Sequence, residues 1–331
     1  MDRLSTHCQK SPNTRRTTIR AGVRGAKTDV HYGGYRMRSM DVDGLAATIK
    51  GARVADLDSI SDSASLINNK QRWKLVDLII AGRESAAIIF IHVPKTGGTT
   101  FGETLAEDKK ADVISVDAPI RTFVRQVYSA SKSEGDRYIL IRSHHPLSLF
   151  SATNVFRDGA GIISAYRDPL EIHTSNVNMI MSRIKKYLTS PESLSFSVRE
   201  FSKRWIDELG FCPEQSRAGA MAVIDSNAYS ARMSGIYSRF FDADGAKELI
   251  EKGRIFVASH DKFELILCSV FGYESIPERK NVSDVRFIVP SDVDSVTESR
   301  LCSEDNQISR ILRANLRDPK KVNVFGAQIE Y

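Results

Sequence analysis

The chain has 331 residues, of which 47 are lysine or arginine and 41 are aspartate or glutamate, so its formal net charge is +6. Residues 1–40 carry nine of the basic and only two of the acidic side chains, which leaves the remainder close to neutrality. A domain that coats nucleic acid would itself carry clustered positive charge, so we expect no nucleic-acid partner. With 41% hydrophobic and 8% aromatic residues, collagen, coiled-coil and wholly disordered proteins are excluded as well.

Residues 1–60 are predicted to form a basic, disordered N-terminal extension, followed by a single domain over 61–331. Three interpretations of residues 1–40 stay open: a disordered arm, a targeting segment, and an over-long reading frame whose true start is Met37 or Met40. The sequence has no secretory signal and no run of about 18–20 apolar residues. The four cysteines lack metal-ligand or disulfide-framework spacing. We therefore expect a soluble, cytoplasmic protein without integral membrane contact.

The rest of the chain alternates between two patterns. A helix is predicted over 63–82, where apolar residues recur on one side and a glycine follows. From residue 86 onward, short continuous apolar runs predict strands at 86–92, 112–116, 138–142, 161–166 and 254–258. The intervening helices are predicted at 100–107, 120–132, 169–187, 195–209, 243–252, 261–271 and 305–316. Continuous apolar strands interleaved with helices predict a three-layer α/β domain, in which a central parallel sheet is flanked by helices.

The first predicted strand leads into the segment PKTGGTT at 94–100, immediately before a predicted helix. Glycines 97 and 98 permit close backbone approach, the new helix offers free N–H groups, and Lys95 adds a positive charge. The triphosphate loop G-x-x-x-x-G-K-[ST] does not match, because its lysine follows the second glycine whereas Lys95 precedes Gly97. The segment predicts an anion-binding loop, with a plain turn and helix cap as the alternative.

Arg167 follows the predicted strand at 161–166, at the end of the sheet where α/β proteins place ligands. A guanidinium there suits a phosphate dianion, and Ser175 on the following helix offers a hydroxyl. Asp168 is explained as a helix N-cap and needs no catalytic role. The alternative for Arg167 is an ion pair with a local carboxylate such as Glu171.

His144 and His145 follow the predicted strand at 138–142. A histidine at this position can act as a general base near neutral pH. Adjacent residues point in different directions, so at most one of the two faces a ligand, and we expect it to be His144. A structural histidine is the alternative. The roles of His145 and of His92, in the first motif, stay open.

Together, these elements resemble the sulfotransferases that use 3′-phosphoadenosine 5′-phosphosulfate (PAPS), and most closely the carbohydrate, heparan-sulfate-2-O-sulfotransferase-like branch. That family's 5′-phosphosulfate loop reads PKTGGT or similar. Its 3′-phosphate motif reads RDP followed by a serine at the spacing of Ser175, and between the two lies a strand that ends in the catalytic histidine. The likeness extends over about 86–331. Two positions depart from it: Ile172, where the family usually has arginine, and Ser143, where glycine is frequent.

The resemblance implies a P-loop-like nucleotide-binding fold and transfer of a sulfuryl group from PAPS, without a metal, to an acceptor hydroxyl on a carbohydrate or glycolipid. It implies that His144 is the general base and that Lys95 assists the leaving phosphate. The donor-binding residues carried over from the family are Lys95, Thr96, Gly97, Gly98, Thr99, Thr100, Arg167 and Ser175. Two alternatives stay open: a divergent phosphate-loop kinase or other phosphoryl-transfer enzyme, and a non-catalytic anion- or nucleotide-binding protein. The acceptor's identity and the oligomeric state stay undetermined by the sequence.

Overall fold

The structure is a computed structural model that describes residues 41–81, 87–107, 110–133, 137–157, 160–275 and 285–319. All of these residues belong to one compact unit, Ser39–Tyr331. Within the described ranges, no helix is both long enough and apolar enough to cross a membrane. The predicted extension over residues 1–40 lies outside the described residues.

The strands are short and the helices vary widely in length. The strands are β1 Ala87–Ile91, β2 Ala111–Ser115, β3 Tyr138–Ser143, β4 Gly161–Tyr166 and β5 Ile255–Ser259. The helices are α1 Val42–Gly51, α2 Leu57–Ser63, α3 Asn69–Ile80, α4 Gly98–Glu107, α5 Ile120–Lys132, α6 Leu147–Phe150, α7 Asn154–Arg157, α8 Pro169–Thr189, α9 Phe196–Leu209, α10 Arg217–Asp225, α11 Asn227–Met233, α12 Ala243–Glu251, α13 Leu265–Phe271, α14 Ser295–Cys302 and α15 Asn306–Ala314. Short 3-10 turns lie at Val54–Asp56, Ala64–Leu66, Pro191–Ser193, Pro290–Asp292 and Ser303–Asp305.

The sheet is parallel throughout, in the order β2-β3-β1-β4-β5. Each predicted strand is present, with its ends within one residue of the prediction. From the central β1 the chain first builds β2 and β3 on one side and then crosses to build β4 and β5 on the other. In open α/β sheets, ligands bind at the carboxyl ends of the strands where the order reverses in this way. The reversal therefore points to the ends of β1, β3 and β4.

Alternate side chains along the strands belong to two separate hydrophobic cores. Ile89 and Ile91 of β1 pack on one face with buried residues of α1, α3, α5, α12 and α15. Ile88 and Phe90 pack on the other face with residues of α4 and α13. Burying one such aliphatic side chain contributes roughly 1.5–3 kcal/mol. The three-layer α/β prediction is confirmed at this level: a parallel sheet with helices on both faces.

The predicted boundary at residue 60 is wrong. Residues 41–60 include α1 and α2, and Leu45 and Ile49 of α1 are fully buried in the same core as Trp73. Asp41 caps α1, since its side chain accepts a hydrogen bond from the Asp43 N–H at 3.4 Å. The apolar residues of α1 recur at helical spacing, but the basic composition of the preceding residues outweighed that signal in the prediction.

The predicted helix over 63–82 is shorter than expected. It begins at Asn69 because Asn68 caps it, accepting from the Gln71 N–H at 3.0 Å while the Gln71 side chain accepts from the Asn68 N–H at 2.9 Å. This reciprocal capping box stabilises the start of a helix and separates α3 from the turn at Ala64–Leu66.

A third cluster of buried residues lies on helices that follow β4. It joins α8 to α9, α10, α11 and α14 around Trp205 and Tyr229. Of these helices, α10, α11 and α14 were not predicted. The long helix α8 begins beside the end of β4 and extends into this cluster, so it links the sheet edge to the helical part of the domain.

Candidate active site

Three of the predicted elements meet at the carboxyl edge of the sheet. The predicted anion-binding loop at 94–100, named the phosphate loop below, follows β1, His144 follows β3, and Arg167 follows β4. Two direct hydrogen bonds join them: Arg167 Nη1 donates to the Lys95 carbonyl at 3.1 Å, and His144 Nδ1 lies 2.7 Å from the His92 carbonyl. Residues that are far apart in the sequence therefore form one connected group.

The phosphate loop has the backbone conformation that its glycines predict. Lys95 and Gly97 adopt positive φ angles of 67° and 91°, a region that favours glycine and is uncommon for lysine. Gly98 begins α4, and a Cβ placed on it would lie 2.4 Å from Phe90 Cζ and 2.5 Å from His92 Cδ2. The loop can therefore pass over β1 only with glycine at this position. The first N–H groups of α4 have no acceptor within their own helix, which leaves them directed to this turn.

The threonines of the loop do not all offer a free hydroxyl. Thr96 is fully buried, and its Oγ1 donates to the Val93 carbonyl at 2.7 Å. Its side chain therefore closes the turn, and the expected hydroxyl contact to a ligand cannot form while that bond is made. Thr99 and Thr100 lie in the first turn of α4, and their side chains are outside the described part of the structure.

Three cations gather near the loop. Burial lowers the pKa of Lys95, and the charges of Arg183 and Arg167 lower it further. Arg183 extends from α8 over the ring of Phe201, at 4.5 Å, and burial lowers the pKa of its guanidinium too. Among the residues that the structure describes, no acid pairs with Lys95 or Arg183. Positive charges that lower one another's pKa form a site that an anion would stabilise.

Two acids oppose this charge. Arg167 Nε donates to Glu171 Oε2 at 3.1 Å, as the structural alternative for Arg167 predicted. Glu264 is 2% exposed, and its Oε1 lies 3.2 Å from the position that a Cβ on Gly97 would occupy. These two acids therefore lie among the cations Lys95, Arg167 and Arg183 near the loop.

The Tyr237 hydroxyl holds the backbone of Arg167. The Tyr237 hydroxyl accepts from the Arg167 N–H at 2.7 Å and donates to its carbonyl at 2.8 Å. The Tyr237 N–H in turn donates to the buried carboxylate of Asp305 at 2.8 Å. Asp168 caps α8 by accepting from the Leu170 N–H at 3.0 Å, as predicted. Ser175 lies half-buried about two turns further along α8.

The tautomer of His144 follows from its contacts. Because a carbonyl oxygen only accepts, the bond to the His92 carbonyl places the proton on Nδ1 and leaves Nε2 with a lone pair. Burial lowers the pKa of His144, and the charge of Arg142 acts in the same direction. The charge of Asp117 and the bond to the His92 carbonyl raise this pKa, but the net change is downward. His144 is therefore neutral at about pH 7, and Nε2 can accept a proton.

The other two histidines have separate roles. His92 is 5% exposed, and its Nδ1 accepts from Arg142 Nη2 at 3.0 Å, so its own proton is on Nε2, near Gly98. Burial, followed by the charges of His144 and Arg142, holds the pKa of His92 well below its ordinary value. His145 Nδ1 accepts from the Trp73 indole N–H at 3.1 Å. The two adjacent histidines thus point to different partners, and His145 connects the site to α3.

Sequence reasoning missed three residues of the site. Asp117 lies in the turn after β2, with Oδ2 3.6 Å from His144 Nε2. The rule that singled out Arg167, a charged residue just past a buried parallel strand, applied equally to Asp117. Arg183 and Tyr237 had no such signal, because they reach the site only through the direction of α8 and the path of the turn after α11.

In chemical terms, the arrangement offers an anion site beside a neutral base. The loop and the cations Lys95, Arg167 and Arg183 can hold phosphate or sulfate groups, and His144 Nε2 can remove a proton from a group bound next to them. In the described ranges, no three histidine, cysteine or acidic side chains are grouped so that they could hold a metal ion.

Comparison with protein-family models, with curated proteins and with solved structures found no match to this chain.

Proposed function

We propose that the protein is a sulfotransferase that moves a sulfuryl group from PAPS to an acceptor hydroxyl. The observation that carries the proposal is the connected group at the sheet edge, in which Arg167 bonds to the backbone of Lys95 while His144 bonds to the backbone of His92. The sequence likeness to PAPS-dependent enzymes rests on these same motifs, and the reversal of strand order puts them where an α/β sheet binds its ligand.

The donor carries a 5′-phosphosulfate and a 3′-phosphate, and the connected group at the sheet edge offers residues for each. The loop from Lys95 to Gly98 and the first N–H groups of α4 suit the 5′-phosphosulfate. Arg167, with Ser175 further along α8, suits the 3′-phosphate, which ATP and ADP lack. Because Arg167 is also paired with Glu171, donor binding would have to compete with that half-exposed ion pair.

The chemistry follows from the protonation states. The acceptor oxygen attacks sulfur while its proton moves to the Nε2 lone pair of His144, and the bond from sulfur to the phosphate oxygen breaks. Lys95 and the loop N–H groups stabilise the charge that grows on the departing oxygen. General-base assistance of this kind is typically worth roughly 10²–10⁴ in rate. The acceptor class proposed from the family likeness is a carbohydrate or glycolipid hydroxyl.

The proposal is tested first by binding. Isothermal titration calorimetry of the full-length protein with adenosine 3′,5′-bisphosphate, with and without EDTA, should show binding that does not require a metal. ADP should bind at least about tenfold more weakly, because it lacks the 3′-phosphate. Arg167→Glu should abolish binding of the bisphosphate, while Arg199→Glu, a charge reversal at an arginine of α9, should leave it unchanged. Equal affinity for both nucleotides, or no effect of Arg167→Glu, would refute the donor assignment.

Turnover is tested next with ³⁵S-labelled PAPS against polysaccharide and small-glycan acceptors, with His144→Ala as the inactive control. Transfer of label that depends on His144 supports the sulfotransferase. Turnover of ATP with Mg²⁺ in place of PAPS would favour the phosphoryl-transfer alternative, and tight nucleotide binding without transfer to any acceptor would favour the non-catalytic one.

A further inference from the structure

Asp117 is a second titratable group on the reacting side of His144. Its Oδ2 lies 3.6 Å from His144 Nε2, and the side chains of Asp117 and His144 are 29% and 35% exposed. In a common histidine–aspartate pair the carboxylate holds the nitrogen that does not react. Here that nitrogen, Nδ1, already bonds to the His92 carbonyl, so the carboxylate faces the nitrogen that would take the proton.

The turn that carries Asp117 is held in place by other elements. Arg72 of α3 donates through Nη1 to the Val116 carbonyl at 2.8 Å and to the Ala118 carbonyl at 2.7 Å, on either side of Asp117. Gln126 of α5 accepts from the Ser115 N–H at 2.9 Å at the end of β2. These contacts hold the backbone of the turn on both sides of Asp117.

Asp117 also interacts with two arginines: burial lowers the pKa of both Arg72 and Arg142, and the charge of Asp117 offsets part of that lowering. Among the described residues, however, the close contact of the carboxylate is with His144 Nε2, at 3.6 Å. With Nε2 unprotonated, both atoms are acceptors and cannot bond to each other. Protonation of Nε2 turns the contact into an ion pair, and a hydrogen bond then forms if the two atoms move a few tenths of an ångström closer.

We infer that Asp117 accepts the N–H that forms on His144 Nε2 when the acceptor hydroxyl is deprotonated. This inference rests on the proposed function. The O–H bond of the acceptor breaks as its oxygen bonds to sulfur, the proton goes to Nε2, and the bond from sulfur to the donor's phosphate oxygen breaks. The new imidazolium then donates to Asp117 Oδ2, and the proton leaves from this partly exposed pair to water. Asp117 is thus a positioning residue that stabilises charge developing on the base.

Other charged or titratable groups surround Asp117 and His144 and affect the pKa of His144. Burial and the charge of Arg142 on β3 oppose a charge on His144, and a charge on His144 in turn lowers the pKa of His92. The charge of Asp117 acts the other way, favouring the protonated forms of both His144 and His145. The charged or titratable groups around the pair are Arg72, His92, Arg142 and His145.

The test is the variant Asp117→Asn, which removes the charge and keeps the shape. The titration of His144 in the full-length protein is followed by NMR of its ring C–H, assigned by comparison with His144→Gln. We expect the midpoint to move to lower pH by roughly half a unit, the shift that a partly exposed ion pair produces. The acid limb of kcat/KM should move in the same direction, and kcat should fall roughly two- to fivefold.

Two further variants test whether a shift of the His144 midpoint comes from the charge of Asp117. Asp117→Glu keeps the charge and should restore the midpoint at least in part. Asp62→Asn removes an exposed acid of α2 and should leave the midpoint unchanged. An unmoved midpoint in Asp117→Asn overturns the inference, even if activity falls, because the loss would then be structural. A moved midpoint together with no sulfate transfer by the wild-type protein would instead overturn the proposed function, while the interaction between Asp117 and His144 would remain supported.

Discussion

The phosphate loop and His144, the proposed base, follow the neighbouring strands β1 and β3, yet different parts of the chain build them. The loop depends on consecutive residues: a lysine with positive φ, a glycine where a Cβ would lie 2.4 Å from the Phe90 ring, and the start of α4. The base depends on distant ones, since His144 takes its orientation from His92 and its neighbouring charge from Asp117.

This difference has a physical cause. Anions are bound well by backbone N–H groups and a helix end, which a short segment can supply alone. A general base must be neutral, in one tautomer and aimed at one atom, and those conditions need partners from several elements. Substitutions in the loop should therefore act on donor affinity, and substitutions around the base on the rate of the chemical step.

The largest effect is expected from removing the proposed base while donor binding stays intact. His144→Ala should lower kcat by roughly 10²–10⁴-fold while the affinity for adenosine 3′,5′-bisphosphate stays within about twofold. The measurement is a labelled-sulfate transfer assay beside a binding titration. His145→Ala is the control, because His145 bonds to Trp73 and should affect stability more than rate. Activity of His144→Ala within a few-fold of wild type, with binding intact, would mean that His144 is not the base.

His173, which lies outside the site, should contribute to the acid sensitivity of the fold, as should His92 within the site, whose pKa burial also lowers. The pKa of His173 is lowered to about 4, chiefly by burial, from an ordinary 6.5. Between these values the unfolded chain binds a proton that the folded chain does not, so stability is complete above about pH 6.5 and falls toward pH 4. The full loss is about 3 kcal/mol. Urea unfolding at about pH 7.5 and about pH 4.5 should register most of it.

The variant His173→Gln removes this titrating group and should reduce the pH dependence of unfolding, although it starts from a lower stability; the contribution of His92 stays. If the variant keeps the same dependence over this range of pH, His173 is not its source. Knowing this contribution also separates loss of activity by unfolding from loss by protonation of His144.

The substitution Gly98→Ala should disrupt the phosphate loop. A Cβ there would lie 2.4 Å from Phe90 Cζ, so the loop or the ring must move. We expect a loss of about 1–3 kcal/mol in stability and at least about tenfold in donor affinity. Gly44→Ala is the matched control, since a Cβ on Gly44 has nothing within 4 Å and lies inside α1. An unchanged donor affinity in Gly98→Ala would count against the phosphate loop.

The smallest effect is expected from removing the hydroxyl that holds the backbone of Arg167. Tyr237→Phe removes the hydroxyl that bonds to the Arg167 N–H and carbonyl, and should weaken donor binding about fivefold, as the net loss of roughly 1 kcal/mol predicts. Tyr229→Phe removes a buried hydroxyl that bonds to His173 in the helical cluster. It should lower stability similarly and leave donor binding unchanged. Equal effects of both variants on donor binding would mean that Tyr237 has no specific role in binding the donor.

Local patterns predicted much of the fold. The strands were predicted to within about one residue because continuous apolar runs bounded by polar turns, and separated by helical segments, are typical of buried parallel strands. The error at 41–60 arose because the basic extension was drawn past residue 40, where the excess of basic residues ends. Leu45 and Ile49 recur there at helical spacing, and they belong to a helix that packs into the core.

The apolar runs and the motifs of the sequence were enough to predict the parallel α/β sheet, with Lys95, His144 and Arg167 at the ends of its strands. That these three strand ends adjoin one another followed from the three-dimensional fold, because strand order is set by crossovers and not by spacing along the chain. The fold also decided which atom of His144 is free, and brought Asp117, Arg183 and Tyr237 to the site. Hydrogen bonds and charges act over a few ångströms in space, and residues that are distant in sequence supply them.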